Sequence, residues 1–350
     1  MTLGPLMIDL QGTELAAEER ELLRHPLVGG IILFTRNFVD RAQLAHLVRD
    51  IHAARTPALA VAVDHEGGRV QRFRSGFSEL PPPRRIGHEF DADPKAGTAL
   101  ARELGWLMAA ELRAHGVDLS FAPVVDLDYG VNDAIGDRAF HARAEAVSDL
   151  AVAYMHGMRD AGMMATAKHF PGHGAVVADS HLSLPIDRRS LADLTNDLQP
   201  YRRLIANALP GVMMAHVLFP AIDPAPAGFS SFWVREVLRS RLGFKGIVFS
   251  DDLSMQGAAA VGDIVERADR AISAGCDVLP VCNDRQAVMQ LLDRLTVAPD
   301  PAAQLRRVRM KGHGATTPEA LYASTEWHNC RAALGRCQAP PALTLDAGPA

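Results

Sequence analysis

The sequence predicts an α/β protein, a single-domain (β/α)8 barrel of the TIM type, and three observations carry that expectation. Short apolar runs recur along the chain, each followed by a polar or glycine-containing turn. Segments with helical periodicity lie between them. Ionisable residues gather at the C-terminal end of nearly every run, the rim at which such barrels carry their active sites. The 350 residues suggest two domains by size alone, but α/β barrels often run this long as one.

Eight runs read as strands: 6–12, 29–34, 58–64, 119–127, 163–170, 211–219, 246–252 and 276–283. Continuous apolar stretches of this kind suit strands buried on both faces, as in a parallel sheet. Helices are expected between them. Residues 40–55 carry a stripe of Leu44, Leu47, Val48 and Ile51. Residues 99–116 and 144–162 each stop at a glycine. Residues 230–243 open on serines suited to capping, and residues 263–275 form a further helix. The first two units are shorter and less regular. A catalytic barrel with C-terminal helices is expected over residues 1–337, and a loose Pro- and Ala-rich tail over 338–350.

Composition narrows the class. Hydrophobic residues make up 48% and charged residues 22%, enough for a large core. The net charge of −5, with no basic run, argues against nucleic acid as the main partner. No 18-residue apolar run and no secretory signal is visible, so a cytoplasmic protein without membrane insertion is expected. Cys276, Cys282, Cys330 and Cys337 fit no zinc or disulfide framework and read as reduced thiols.

The candidate chemistry lies at the strand ends. Asp64, His65 and Glu66 end the third run, and Asp126 and Asp128 the fourth, followed by Arg138. Lys168 and His169 end the fifth, the sixth carries His216, and Asp251 and Asp252 end the seventh. Each has a plain structural reading. Asp64, Asp126 and one of the Asp251–Asp252 pair suit helix or turn caps. His216 suits a satisfied core histidine, Arg72 and Arg138 suit solvated surface charges, and Gly67, Gly68, Gly172 and Gly174 suit tight turns. The repetition of the pattern, not any one residue, favours an enzyme.

The loop KHFPGHGAVVADSH (168–181) concentrates these groups. His169 and His173 flank Phe-Pro-Gly, so the helical i,i+4 zinc geometry is closed to them. A loop metal site using His169, His173, His181 and an aspartate remains one reading. An acid/base site is the other. Asp179 and His181 are one residue apart, so the carboxylate can face the imidazole and stabilise its protonated form.

Four stretches resemble the family 3 glycoside hydrolases: DHEGGRVQRFR (64–74), AIGDRAF (134–140), the 168–181 loop and GIVFSDDLSM (246–255). More closely, they resemble the bacterial single-domain β-N-acetylglucosaminidases of peptidoglycan recycling, over about residues 5 to 335. The resemblance implies a retaining exo-β-N-acetylglucosaminidase on a (β/α)8 barrel. It implies Asp251 as nucleophile, His181 as acid/base with Asp179 as partner, and substrate binding by Asp64, Arg72, Arg138, Lys168 and His169. Many relatives carry glutamine where this chain has His65. The implied substrate is N-acetylglucosamine β-1,4-linked to 1,6-anhydro-N-acetylmuramic acid, with or without a stem peptide. No metal or organic cofactor is implied, and a monomer is expected. A metal-dependent barrel hydrolase and a non-catalytic amino-sugar-binding protein are the alternatives.

Overall fold

The computed structural model describes residues 2–177, 184–314 and 316–338. Its centre is a ring of parallel strands: β1 (Leu6–Asp9), β2 (Val28–Leu33), β3 (Ala60–Val63), β4 (Leu119–Ser120), β5 (Thr166–Phe170), β6 (Gly211–Met214), β7 (Ile247–Phe249) and β8 (Leu279–Val281). Two ladders make up the ring, one of five strands in the order β8-β1-β2-β3-β4 and one of three in the order β5-β6-β7. Their two seams are carried by single bridges, Leu119 with Met164 and Val124 with Lys168 on one side, Phe249 with Val278 on the other. The cyclic order is that of a (β/α)8 barrel.

The ladders are shorter than the apolar runs. β4 has a ladder of only two residues within the run 119–127. Pro123 lies in that run and has no N–H to donate. Single bonds continue the pairing, from Thr166 N–H to the Ala122 carbonyl and from Val125 N–H to the Lys168 carbonyl. The first two units depart from expectation in the other direction. The helix after β1 is short, Ala17–Leu23, but the β1–β2–β3 ladder pairs along nearly the full length of its strands.

Two apolar layers follow from the alternation of side chains along the strands. Met7, Ile32, Ala60, Ala62, Leu119, Phe121, Met213, Ile247 and Phe249 fill the barrel interior, with Met310 among them. The alternate residues, Leu6, Ile8, Ile31, Val61, Val63, Val212 and Val248, face the helices in a larger cluster. The helices include Arg41–Ala53, Ala144–Asp160, Phe232–Arg241 and Ile264–Ala274, all within the expected segments, and Pro94–Ala114, which begins five residues before its expected start. Asp93 explains that earlier start: it accepts from the N–H groups of Lys95 and Ala96, ahead of Pro94 in the first turn. The helix Thr195–Ala206 carries Pro200 inside it, which masks its pattern in the sequence. No helix among the described residues is long and apolar enough to cross a membrane.

Two buried carboxylates staple the N-terminal end of the barrel. Asp118 accepts from the N–H groups of Val61 and Gly312 and pairs with Arg113, Lys311 and His52. Asp277 accepts from Val248 N–H and pairs with Arg239 and Arg306. Both draw the segment around 306–312 onto the barrel floor.

Candidate active site

The opposite end of the barrel opens into a cavity of about 450 Å³, within the range of small-molecule sites. Almost every strand sends a residue to it, just past its last ladder residue: Phe34 after β2, Asp64 after β3, Asp251 and Asp252 after β7, and Cys282 and Asn283 after β8. Lys168 and His169 come from β5 itself.

Two elements cover the mouth. The hairpin of His65–Gly67 and Val70–Gln71 carries Arg69 and Arg72. Its turn needs glycine: Gly67 has φ of +110°, and a Cβ there would stand 2.4 Å from the Pro81 carbonyl oxygen. The loop 131–138 carries Arg138. Arg69 holds this loop through the carbonyls of Asp133 and Ala134, and Arg138 holds it through Ala134.

A buried ion network forms one wall. Glu66 accepts from Arg138 Nε and Nη2, both at 2.8 Å, in a bidentate pair. The same carboxylate receives Lys168 Nζ at 2.6 Å, and Lys168 also donates to Asp64 at 2.9 Å. Arg72 approaches Asp64 at 3.8 Å and lies over the Phe34 ring. Burial alone would raise the Glu66 carboxyl, but Arg138 and Lys168 outweigh it and hold it far below the carboxylate range. Burial would lower Lys168, but Asp64 and Glu66 outweigh that and raise it.

The second wall begins at Asp126, which is buried and does not line the cavity. Its carboxylate accepts from His169 Nδ1 at 2.7 Å and from the N–H groups of His169 and His173. This fixes the His169 ring with its other nitrogen unclaimed by Asp126. The His173 ring takes a hydrogen bond from the Asn132 amide at 3.0 Å, which ties the loop to its neighbour across the cavity edge. Gly174 is required by contact: a Cβ there would lie 1.8 Å from the Leu127 carbonyl oxygen.

The two adjacent aspartates have different surroundings. Asp252 N–H donates to Asp251 Oδ1 at 2.8 Å. Asp252 Oδ1 accepts from Ser254 N–H, Ser254 Oγ and Cys282 N–H. Burial pushes Asp252 up to about 6 despite those donors. His216 stands behind the pair rather than in the cavity. Its Nε2 donates to the Asp252 carbonyl at 2.9 Å, and its ring stacks on Phe229.

Asp64, Arg72, Arg138, Lys168, His169 and Asp251, expected in one site, therefore line one cavity. Asp179 and His181 lie outside the described residues. Phe34, Arg69 and Met255 also line the cavity and were absent from the expected set, as does Glu66, which was noted at a strand end but given no role in the site. Arg72 and Arg138 are not solvated surface charges; Arg138 is nearly buried in its pair with Glu66. His65 points away from the cavity, into Phe73 and Phe77. Asp128 caps a turn through Gly130 N–H. The four cysteines are buried free thiols. Among the described residues, no group of three His, Cys, Asp or Glu side chains is placed to hold a metal.

The model of the glycosyl hydrolase family 3 N-terminal domain matches residues 6–309. The chain belongs to glycosyl hydrolase family 3. Family 3 relatives align end to end with it. A protein named beta-hexosaminidase from Thioalkalivibrio sulfidiphilus is 55% identical over 99% of this chain and 100% of its own. The crystal structure of NagZ from Neisseria gonorrhoeae in complex with N-trifluoroacetyl-D-glucosamine superposes with a TM-score of 0.92 at 43% identity, covering 97% of this chain and 99% of that one. The same NagZ in complex with zinc ion gives a TM-score of 0.91 at 42% identity. The family and these neighbours share the barrel, and the chain is a glycoside hydrolase acting on a small-molecule glycoside.

Proposed function

We propose that this chain is a retaining exo-β-N-acetylglucosaminidase. Its substrate is N-acetylglucosamine linked β-1,4 to 1,6-anhydro-N-acetylmuramic acid, with or without a stem peptide, and it acts in the cytoplasm as a monomer in cell-wall recycling. Residues 1–337 serve as one catalytic unit. The observation that supports this most is the convergence of Asp64, Arg72, Arg138, Lys168, His169 and Asp251 on one cavity. Beta-hexosaminidase as the name of end-to-end relatives, and an N-acylated glucosamine in the structure of another, point to the same sugar.

In this reading Asp251 attacks the anomeric carbon and forms a covalent glycosyl-enzyme. His181, as imidazolium partnered by Asp179, protonates the departing sugar oxygen, and as neutral imidazole it then activates water. Asp252 has one oxygen committed to Ser254 and Cys282. That suits it to shaping the strand end, and leaves the attack to Asp251. Asp64, Arg72, Arg138, Lys168 and His169 bind the hydroxyls and the acetamido group.

A chromogenic N-acetyl-β-glucosaminide tests the reading, alongside the α-anomer and the β-glucoside. Turnover of the β-N-acetyl substrate alone, unchanged by chelator, is expected. Absence of turnover favours a sugar-binding protein; activity lost to chelator and restored by zinc favours a metal hydrolase.

A further inference from the structure

We propose that Glu66 is the positioning residue of the sugar pocket: a buried carboxylate that aims Lys168 and Arg138 into the cavity and offsets part of the charge they impose on it. The inference rests on the glycosidase reading of the cavity.

Glu66 is buried, and both of its oxygens are occupied. Oε2 accepts from Arg138 Nε, and Oε1 accepts from Arg138 Nη2 and Lys168 Nζ. Such a bidentate pair fixes the plane of the guanidinium as well as its distance. Arg138 keeps Nη1 for the Ala134 carbonyl, so its orientation is set from two sides. Lys168 is likewise held between Glu66 and Asp64. The carboxylate holds both binding cations while its own acceptor sites stay turned to them.

The charge count gives this arrangement its consequence. Lys168, Arg138 and Arg72 face Asp64 and Glu66, so this wall carries one net positive charge. The proposed substrate ring is uncharged, but the transition state of glycoside hydrolysis gathers positive charge on it. Without Glu66 the excess on this wall would rise to two positive charges beside that developing charge. The loss would fall on the transition state more than on the bound sugar, and the same wall would become attractive to anions.

Two variants of the full chain separate this role from mere packing. E66Q keeps the volume and removes the charge; E66D keeps the charge and shortens the side chain. For E66Q, kcat should fall by about 10²-fold, the scale of one lost electrostatic contact in a transition state, and by more than KM rises. Competitive inhibition by inorganic phosphate should tighten roughly tenfold or more, as expected for one additional net positive charge at close range. E66D should retain more kcat than E66Q and the phosphate sensitivity of the wild type. The reverse order, with E66Q near wild type and E66D impaired, would overturn the proposal, as would unchanged phosphate inhibition in E66Q. Should E66Q fail to fold, a folded E66D with the activity loss or phosphate sensitivity expected of E66Q would overturn it. A wild-type enzyme without turnover would sink the glycosidase reading and this inference with it; an active wild type matched by E66Q would sink this inference alone.

Discussion

Single residues carry the chemistry, and the sequence reveals them unevenly. Asp64, Lys168, His169 and Asp251 are legible because each is an ionisable group at the end of an apolar run. Glu66 occupies the same kind of position, yet its importance is not legible there. Its meaning lies in partners far along the chain, Arg138 being 72 residues away. His65 is the opposite case, a polar residue beside the motif whose ring turns into an aromatic cluster. If Asp179 favours the imidazolium of His181, then Asp179→Asn should shift the basic limb of the kcat/KM profile to lower pH. An unchanged basic limb would mean that Asp179 does not tune His181.

Elements decide how these residues are aimed. The strand–helix alternation was readable from periodicity, but strand lengths were not: past Ser120 the fourth run keeps only single bonds to β5, and Pro123 within it has no N–H to give. The loop after β5 illustrates what spacing cannot tell. Its start is irregular in sequence, but Asp126, next after Val125 in the β4–β5 pairing, binds the His173 N–H within it and both the N–H and the ring of His169 in β5. Burial would raise the Asp126 carboxyl; His169 and His173 outweigh it and keep it ionised. Asp126→Ala should therefore strand several donors and loosen His169. The expected cost is about 3–5 kcal/mol, typical of breaking a buried charged pair, with a matching loss of kcat/KM. Urea unfolding of the variant checks it, and a cost below about 1 kcal/mol, that of one ordinary hydrogen bond, would contradict the anchoring role.

The whole molecule divides its polar groups between two ends. Carboxylates at the floor, Asp118 and Asp277, staple strands to the C-terminal segment; those at the rim line the cavity. This division was legible for the rim, where fold class says where to look, and illegible for the floor, whose partners come together only in three dimensions. Stability should depend on pH through the buried groups. Burial first, then the Arg74 and Arg72 charges, holds His65 down to about 3. The folded chain keeps His65 neutral, while the unfolded chain protonates it below about 6.5. Stability from this residue is therefore lost as pH falls from about 6.5 towards 3. The paired carboxylates Glu66 and Asp118 act in a lower window, since their depressed values preserve stability until pH falls below the ordinary carboxylate range. His65→Gln should reduce the stability lost between pH 7 and pH 5 by about 2 kcal/mol, one proton's linkage over that interval. Denaturant midpoints at the two pH values measure it; equal losses in both proteins would contradict the burial argument.

In the proposed mechanism Asp251 becomes covalently bonded to the sugar. N-acetylated sugars offer a competing nucleophile, their own acetamido oxygen, and the neighbouring Asp252 offers another. Reaction with a 5-fluoro N-acetylglucosaminyl fluoride, followed by mass spectrometry of the digested protein, distinguishes all three. A glycosyl label on Asp251 is expected; a label on Asp252, or a released oxazoline with no labelled peptide, would contradict covalent catalysis by Asp251.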